Sequence, residues 1–162
     1  MICGRYCRAR VTKNCRKNTA ARGGRGQGNR MEKVSFETMS DDRVLERVRS
    51  LVRRSNETTA ELLVYLAEVE ERGLHRREAC SSLFAFCVER LHMSESATAK
   101  RIWAARVGRK FPVAIEMIAR GELHLSAVTI LAPHLTAENH AELLGRARHR
   151  SKREIEKLVA EI

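Results

Sequence analysis

Residues 81–112, SSLFAFCVERLHMSESATAKRIWAARVGRKFP, decide the fold. Leu83, Phe84, Cys87, Val88 and Leu91 recur at the i, i+1, i+4, i+5, i+8 spacing of one buried helical face. His92 and Met93 interrupt that spacing, and Ser94 then stands where a helix N-cap belongs, with Glu95 in the first turn. The helix opened there runs to about Lys110, and Pro112 both stops it and starts the next. Helix, short turn and a second helix rich in Ala, Lys and Arg is the outline of a helix-turn-helix. It is equally the outline of two core helices in an all-α domain. Lys100, Arg101, Arg106, Arg109 and Lys110 are the candidate nucleic-acid contacts. At about 100° per residue they scatter around the helix, with Ile102, Trp103 and Val107 between them. A helix lying in a major groove gathers its basic residues on one side.

Upstream, Ser40 is placed to cap a helix with Asp41 and Asp42 in its first turn and an apolar stripe of Val44, Leu45, Val48, Leu51 and Val52. Ser55-Asn56-Glu57-Thr58-Thr59 is the expected break. A second helix follows, with Leu62, Leu63, Leu66 and Val69 inward, Glu68, Glu70 and Glu71 on a solvated face, and Gly73 at its end. Downstream, Pro112 to Arg120 makes a short helix closed by Gly121. Leu123, Leu125, Val128, Ile130 and Leu131 form a buried segment with Ser126 as cap and Pro133 as end. Thr136 caps a helix through about Arg148 that buries Ala141, Leu144 and Ala147. Ser151-Lys152-Arg153-Glu154 fits a capping box and opens a last helix with Ile155, Leu158, Val159 and Ile162 on one side. The expectation is an all-α fold of about eight short-to-medium helices in one compact domain, residues 40–162, with no strand. The apolar pattern runs up to Ile162 without a closing Gly, Asn or Pro, the pattern of the N-terminal part of a longer protein.

The net charge of +11 is unevenly spread. Residues 1–30 hold nine of the 31 Lys and Arg and no acid; the other 132 residues carry 22 basic and 20 acidic groups. The basic pI therefore belongs mainly to residues 1–30, which end in RGGRGQGNR and lack apolar periodicity. They are expected to be a disordered basic tail. Such a tail fits a salt-sensitive nucleic-acid arm, or else the natural start is Met31. Cys3, Cys7 and Cys15 lack a fourth ligand and any nearby His, which speaks against zinc. No window approaches the run of about 18 apolar residues that spans a membrane. The N-terminus also lacks the apolar core of a secretory signal, so a cytoplasmic chain with no membrane partner is expected. Aromatic residues make up only 4%, which argues against a base-stacking single-strand binder.

From residue 68 onward the order EVEERGLHRREACSSLFAFCVERLHMSESATAKRIWAARVGRKFPVAIEMIARGELHLSAVTILAPHLTAENHAELLGRARHRSKREIEKLVAEI resembles a known family. It is similar to the helical N-terminal region, a domain of unknown function, of bacterial HNH endonuclease-like proteins. The matching pieces include Arg72-Gly73-Leu74, Leu91-His92-Met93-Ser94, Ala104-Ala105-Arg106, Phe111-Pro112, Gly121-Glu122-Leu123-His124-Leu125, Leu131-Ala132-Pro133-His134-Leu135-Thr136 and Ser151-Lys152-Arg153-Glu154. The resemblance covers roughly residues 60–162 and implies a DNA-associated helical module that is not itself catalytic. In the family one divalent metal, bound by His and Asn residues, does the cutting in a later ββα module. No cofactor or metal is therefore expected here. His134, Asn139 and His140 have the right residue types, but a helix carries the last two and no strand pair accompanies them. His75, His92, His124 and His149 make no two-imidazole helical pattern, and Cys80 and Cys87 are expected reduced and packed. The expected partner is DNA, with weak sequence preference. The alternative is a protein-interaction or oligomerisation module without a nucleic-acid role, and the chain is a candidate homo-oligomer.

Overall fold

Asp41–Glu71 form one uninterrupted helix, α1, of 31 residues, about 46 Å long at 1.5 Å per residue. The computed structural model describes Phe36 and residues 38–162. The chain divides into two units, residues 1–38 and 39–162, and every described helix lies in the second. The expectations for residues 1–30, for Cys3, Cys7 and Cys15 and for a start at Met31 lie outside the described residues.

The break expected at Ser55–Thr59 is absent. Ser, Asn and Thr cost a helix only about 0.5 kcal/mol each relative to Ala, and no Gly or Pro stands there. The next two turns bury Ala60, Leu63 and Leu66, and one buried leucine contributes about 1.5–3 kcal/mol. Packing beyond the weak formers therefore carries the helix through them. Ser40 has the extended backbone of a cap, but its side chain accepts no cap hydrogen bond. At the other end Gly73, at φ 62°, turns the chain out of the helix, and Gly73 N donates to Glu70 O at 3.1 Å.

A 3-10 turn at Leu74–Arg76 leads to α2, Leu83–Ala85, which continues as a π turn over Phe86–Arg90. Ser82 Oγ accepts from Ala85 N at 3.1 Å to start it. Leu83 and Cys87 are buried as the spacing predicts, whereas Phe84 is exposed, and so is Leu91 beyond the wider turn. His92, at φ 53°, makes the bend. The helix α3 then runs Glu95–Lys110, with Ser94 Oγ accepting from Ala97 N at 3.4 Å. Pro112 opens α4, Pro112–Ala119. The helices α5, Leu125–Leu131, α6, His140–Arg146, and α7, Lys152–Ala160, complete the fold, and the described residues contain no strand.

Three details of the later helices differ from the sequence expectation. The cap of α5 is His124, whose Nδ1 accepts from Ala127 N at 3.0 Å, not Ser126. Thr136 and Asn139 exchange hydrogen bonds of 2.8 and 3.2 Å, closing a turn of their own. As a result α6 starts one turn later than expected, and it buries Leu143 and Leu144 and leaves Ala141 exposed. In α7 the Ser151–Glu154 capping box forms and Ile155 and Leu158 are buried, but Ile162 is exposed.

The second half of α1 lies against α3 and α4, α3 packs on α5, and α5 on α7. The approach of α3 to its neighbours is close because it turns Ala104, Ala105 and Gly108 inward. A Cβ on Gly108 would sit 2.2 Å from Ile115 Cδ1 and 2.4 Å from its Cγ1. Gly108→Ala is expected to lower the Tm. The gain of about 1 kcal/mol in helix propensity is offset by an overpacking cost of about 1–3 kcal/mol; thermal unfolding by circular dichroism measures the balance.

The turn after α4 is tied down by Glu122. Its carboxylate accepts from Arg120 Nε at 3.2 Å and from Arg148, and its backbone oxygen accepts from His149 N at 2.8 Å. Burial raises the affinity of this carboxyl for a proton, but the Arg148 hydrogen bond and the charges of both arginines outweigh it, so its pKa is lowered. A carboxylate with a lowered folded pKa adds stability that is present above its unfolded value of about 4 and is lost as pH falls through the folded one. Glu122→Gln should therefore lower the Tm at neutral pH, and the difference from the parent should shrink below about pH 4. A Tm-against-pH series checks the sign.

Candidate nucleic-acid interface

The five cations of α3 meet different fates. Arg106 and Arg109 face the C-terminal end of α1. The Arg106 guanidinium grips the Glu70 carboxylate at two points, with Nε to Oε2 at 3.0 Å, and Arg109 pairs with Glu71. Glu70 and Glu71 are thus bound rather than merely solvated. The Arg106 hydrogen bond holds the Glu70 pKa below the ordinary carboxylate value against an opposing burial effect, and the Arg106 pKa is raised in turn. Lys110 is exposed and belongs to neither pair. These three share one face of α3 and line a pocket together with Glu70 and Glu71, so the acids neutralise most of its charge.

Lys100 and Arg101 lie elsewhere. They line a groove of about 430 Å³ where α1, α3 and the start of α5 meet. Asn56 and Thr59 come from α1, Ser96 from the first turn of α3, and His124 and Ser126 from the start of α5; no Asp or Glu lines it. Arg101 is half-buried, with Nη1 donating to Ala97 O at 3.3 Å and Nε buried without a hydrogen-bond partner. Burial pushes the Cys87 thiol up in pKa, and the Arg101 charge opposes that. Following α1 away from the groove, Arg53 and Arg49 stand about one and two turns beyond Asn56 on nearly the same face. Arg49 makes only an exposed pair with Glu46 at 3.7 Å, of a kind worth about 0–1 kcal/mol. Sequence reasoning missed Arg49, Arg53 and Asn56 because it put a break between α1's two halves. The i, i+4, i+7 spacing of these residues was the available signal.

The other candidates are accounted for by structure. Asn139 Nδ2 donates to His134 O at 2.9 Å, and His140 stacks on Phe111 with ring centroids 4.7 Å apart. Their polar groups serve the turn before α6. His75 is buried beside α1 with Nδ1 lacking a partner, and Cys80 and Cys87 are buried free thiols. Among the described residues no three His, Cys, Asp or Glu side chains cluster as metal ligands, and no helix is long and apolar enough to cross a membrane.

The geometry thus defines a helical array with an acid-free, cation-lined groove beside a projecting basic helix. No protein-family model, curated protein or solved structure matches the chain.

Arg106→Gln is expected to lower the Tm modestly at neutral pH, because Glu70 loses its partner while both groups are partly solvated. Lys110→Gln should leave the Tm within measurement error. The Arg106 effect should fade as acid protonates Glu70, since a lowered carboxylate pKa stabilises only above that pKa; thermal melts of both variants at neutral and acid pH test this.

Proposed function

We propose that the chain is a DNA-associated helical module, as its resemblance to the helical region of HNH endonuclease-like proteins implies. The observation that carries this is the groove holding Lys100 and Arg101 with no acid in its lining. Its neutral lining residues Asn56, Thr59, Ser96 and Ser126 all offer hydrogen-bond donors. Cations and neutral donors together are what a phosphate backbone needs. Arg53 and Arg49 add further cations along α1 beyond the groove. Phosphate contacts of this kind position a protein without reading base sequence, so sequence preference should be weak. In this reading Arg106 and Arg109 hold α3 onto α1 and are not DNA contacts.

A second reading, a protein-interaction module with no nucleic-acid role, is favoured by the exposed apolar face on the first half of α1.

Fluorescence anisotropy with labelled duplex DNA separates the two. Residues 31–162 should bind at low salt, and Lys100→Glu/Arg101→Glu should flatten the log–log salt slope by about 0.9 for each phosphate that is no longer neutralised. Lys110→Glu should change it little. Binding confined to chains that retain residues 1–30, or indifferent to Lys100→Glu/Arg101→Glu, rejects the groove and leaves the interaction module.

A further inference from the structure

The first half of α1 carries an apolar stripe that no described residue covers. Leu45, Val48, Leu51 and Val52 are 52, 52, 49 and 55% exposed, and they lie at the i, i+3, i+6, i+7 positions of one helical face. Every other residue from 41 to 55 is exposed except Val44. About 22 Å of helix, 15 residues at 1.5 Å each, thus projects from the body with its apolar side in water. A contiguous apolar surface of this kind marks a contact site.

The charges beside the stripe decide what covers it. Residues 41–55 hold Arg43, Arg47, Arg49, Arg53 and Arg54 against Asp41, Asp42 and Glu46, and the two acids at 41 and 42 stand at the helix start, away from the middle of the stripe. At about 100° per residue, Arg47 falls on one edge of the stripe and Arg49 on the other. A second copy laid antiparallel sets Arg47 against Arg47 and Arg49 against Arg49; laid parallel, it sets Arg47 against Arg49. Either way like charges meet across the seam, which is destabilising. Residues 1–30, with nine cations and no acid, have the wrong sign as well. Helices that lie on lipid carry Trp or Phe beside Leu on the apolar face, and residues 41–55 contain no aromatic side chain.

We infer that this half-helix docks into a groove of another protein, apolar along its floor and acidic along both edges. The stripe supplies the anchors, as in other helix-in-groove contacts, and the arginines on both flanks select acidic edges and speed encounter. The inference does not rest on DNA binding: its anchors are the stripe, whereas the DNA reading rests on Lys100 and Arg101, and the two share only the flanking Arg49.

The test uses the full chain and a synthetic four-heptad peptide with leucine at both core positions and glutamate at the flanking ones. Binding is measured by anisotropy of the labelled peptide. Saturable binding is expected, weakened about tenfold or more by Leu51→Gln/Val52→Gln and weakened further by added salt. The same peptide with lysine in place of glutamate should not bind. Both substituted residues are exposed, so the Tm and the DNA salt slope should be unchanged, which separates failure here from failure of the DNA reading. No binding of the acidic peptide, equal binding of the lysine peptide, or indifference to Leu51→Gln/Val52→Gln overturns the inference. So does concentration-dependent dimerisation of the chain in sedimentation velocity that Leu51→Gln/Val52→Gln abolishes, or tighter binding to phosphatidylserine vesicles than to the peptide.

Discussion

The fold depends on how closely α3 can approach α1 and α4. Leu63, fully buried, faces a strip of α3 where Ala105 and Gly108 offer almost no side chain, and Ile115 of α4 fills the space a Cβ would take at Gly108. Dispersion and apolar burial are gained only at contact distance, so small residues on one helix let large ones on its neighbours work. The rest of the array builds outward from α3 through α5, whose Val128 and Leu131 are fully buried, to α7 with Ile155 and Leu158.

The same contact sorts the charges. Because the end of α1 lies along α3, Glu70 and Glu71 come opposite Arg106 and Arg109, and two of the five candidate cations become internal fastenings. Lys100 and Arg101, one to two turns nearer the start of α3, pass beyond the reach of those acids and open into a groove whose other polar lining is neutral. A single helix therefore carries its paired arginines at one end and its acid-free groove cations at the other. That division follows from packing, and no count of its basic residues would reveal it.

Much of the fold was legible. Ser94 and Ser151 start helices as read because capping is a local exchange between a hydroxyl and nearby N–H groups. Pro112 and Gly121 act through their own backbone constraints. What was not legible depended on partners distant in sequence. Ser55–Thr59 look like a break until Ala60, Leu63 and Leu66 are known to be held by α3 and α4. The stripe from Leu45 to Val52 has the spacing of a core face, and only the reach of the body shows that it is uncovered. The five cations of α3 were identifiable as residues, but their pairing with Glu70 and Glu71 across 36 and 38 positions was not. Past the π turn at Phe86–Arg90, Leu91 is exposed against the expected face, and nothing in those five residue types announces it.

Gly121 stands at φ 72°, and a Cβ there would come within 2.6 Å of the Asn56 amide nitrogen. Asn56 is therefore where α1 leaves the protein's support. On one side of it, substitutions on the inward face are judged by the core; on the other, they are judged by whatever meets the helix from outside. Drift and selection can thus act on residues 41–55 without reopening the question of whether the body folds. One continuous rod of backbone is, for inherited change, two separate objects joined at a single asparagine.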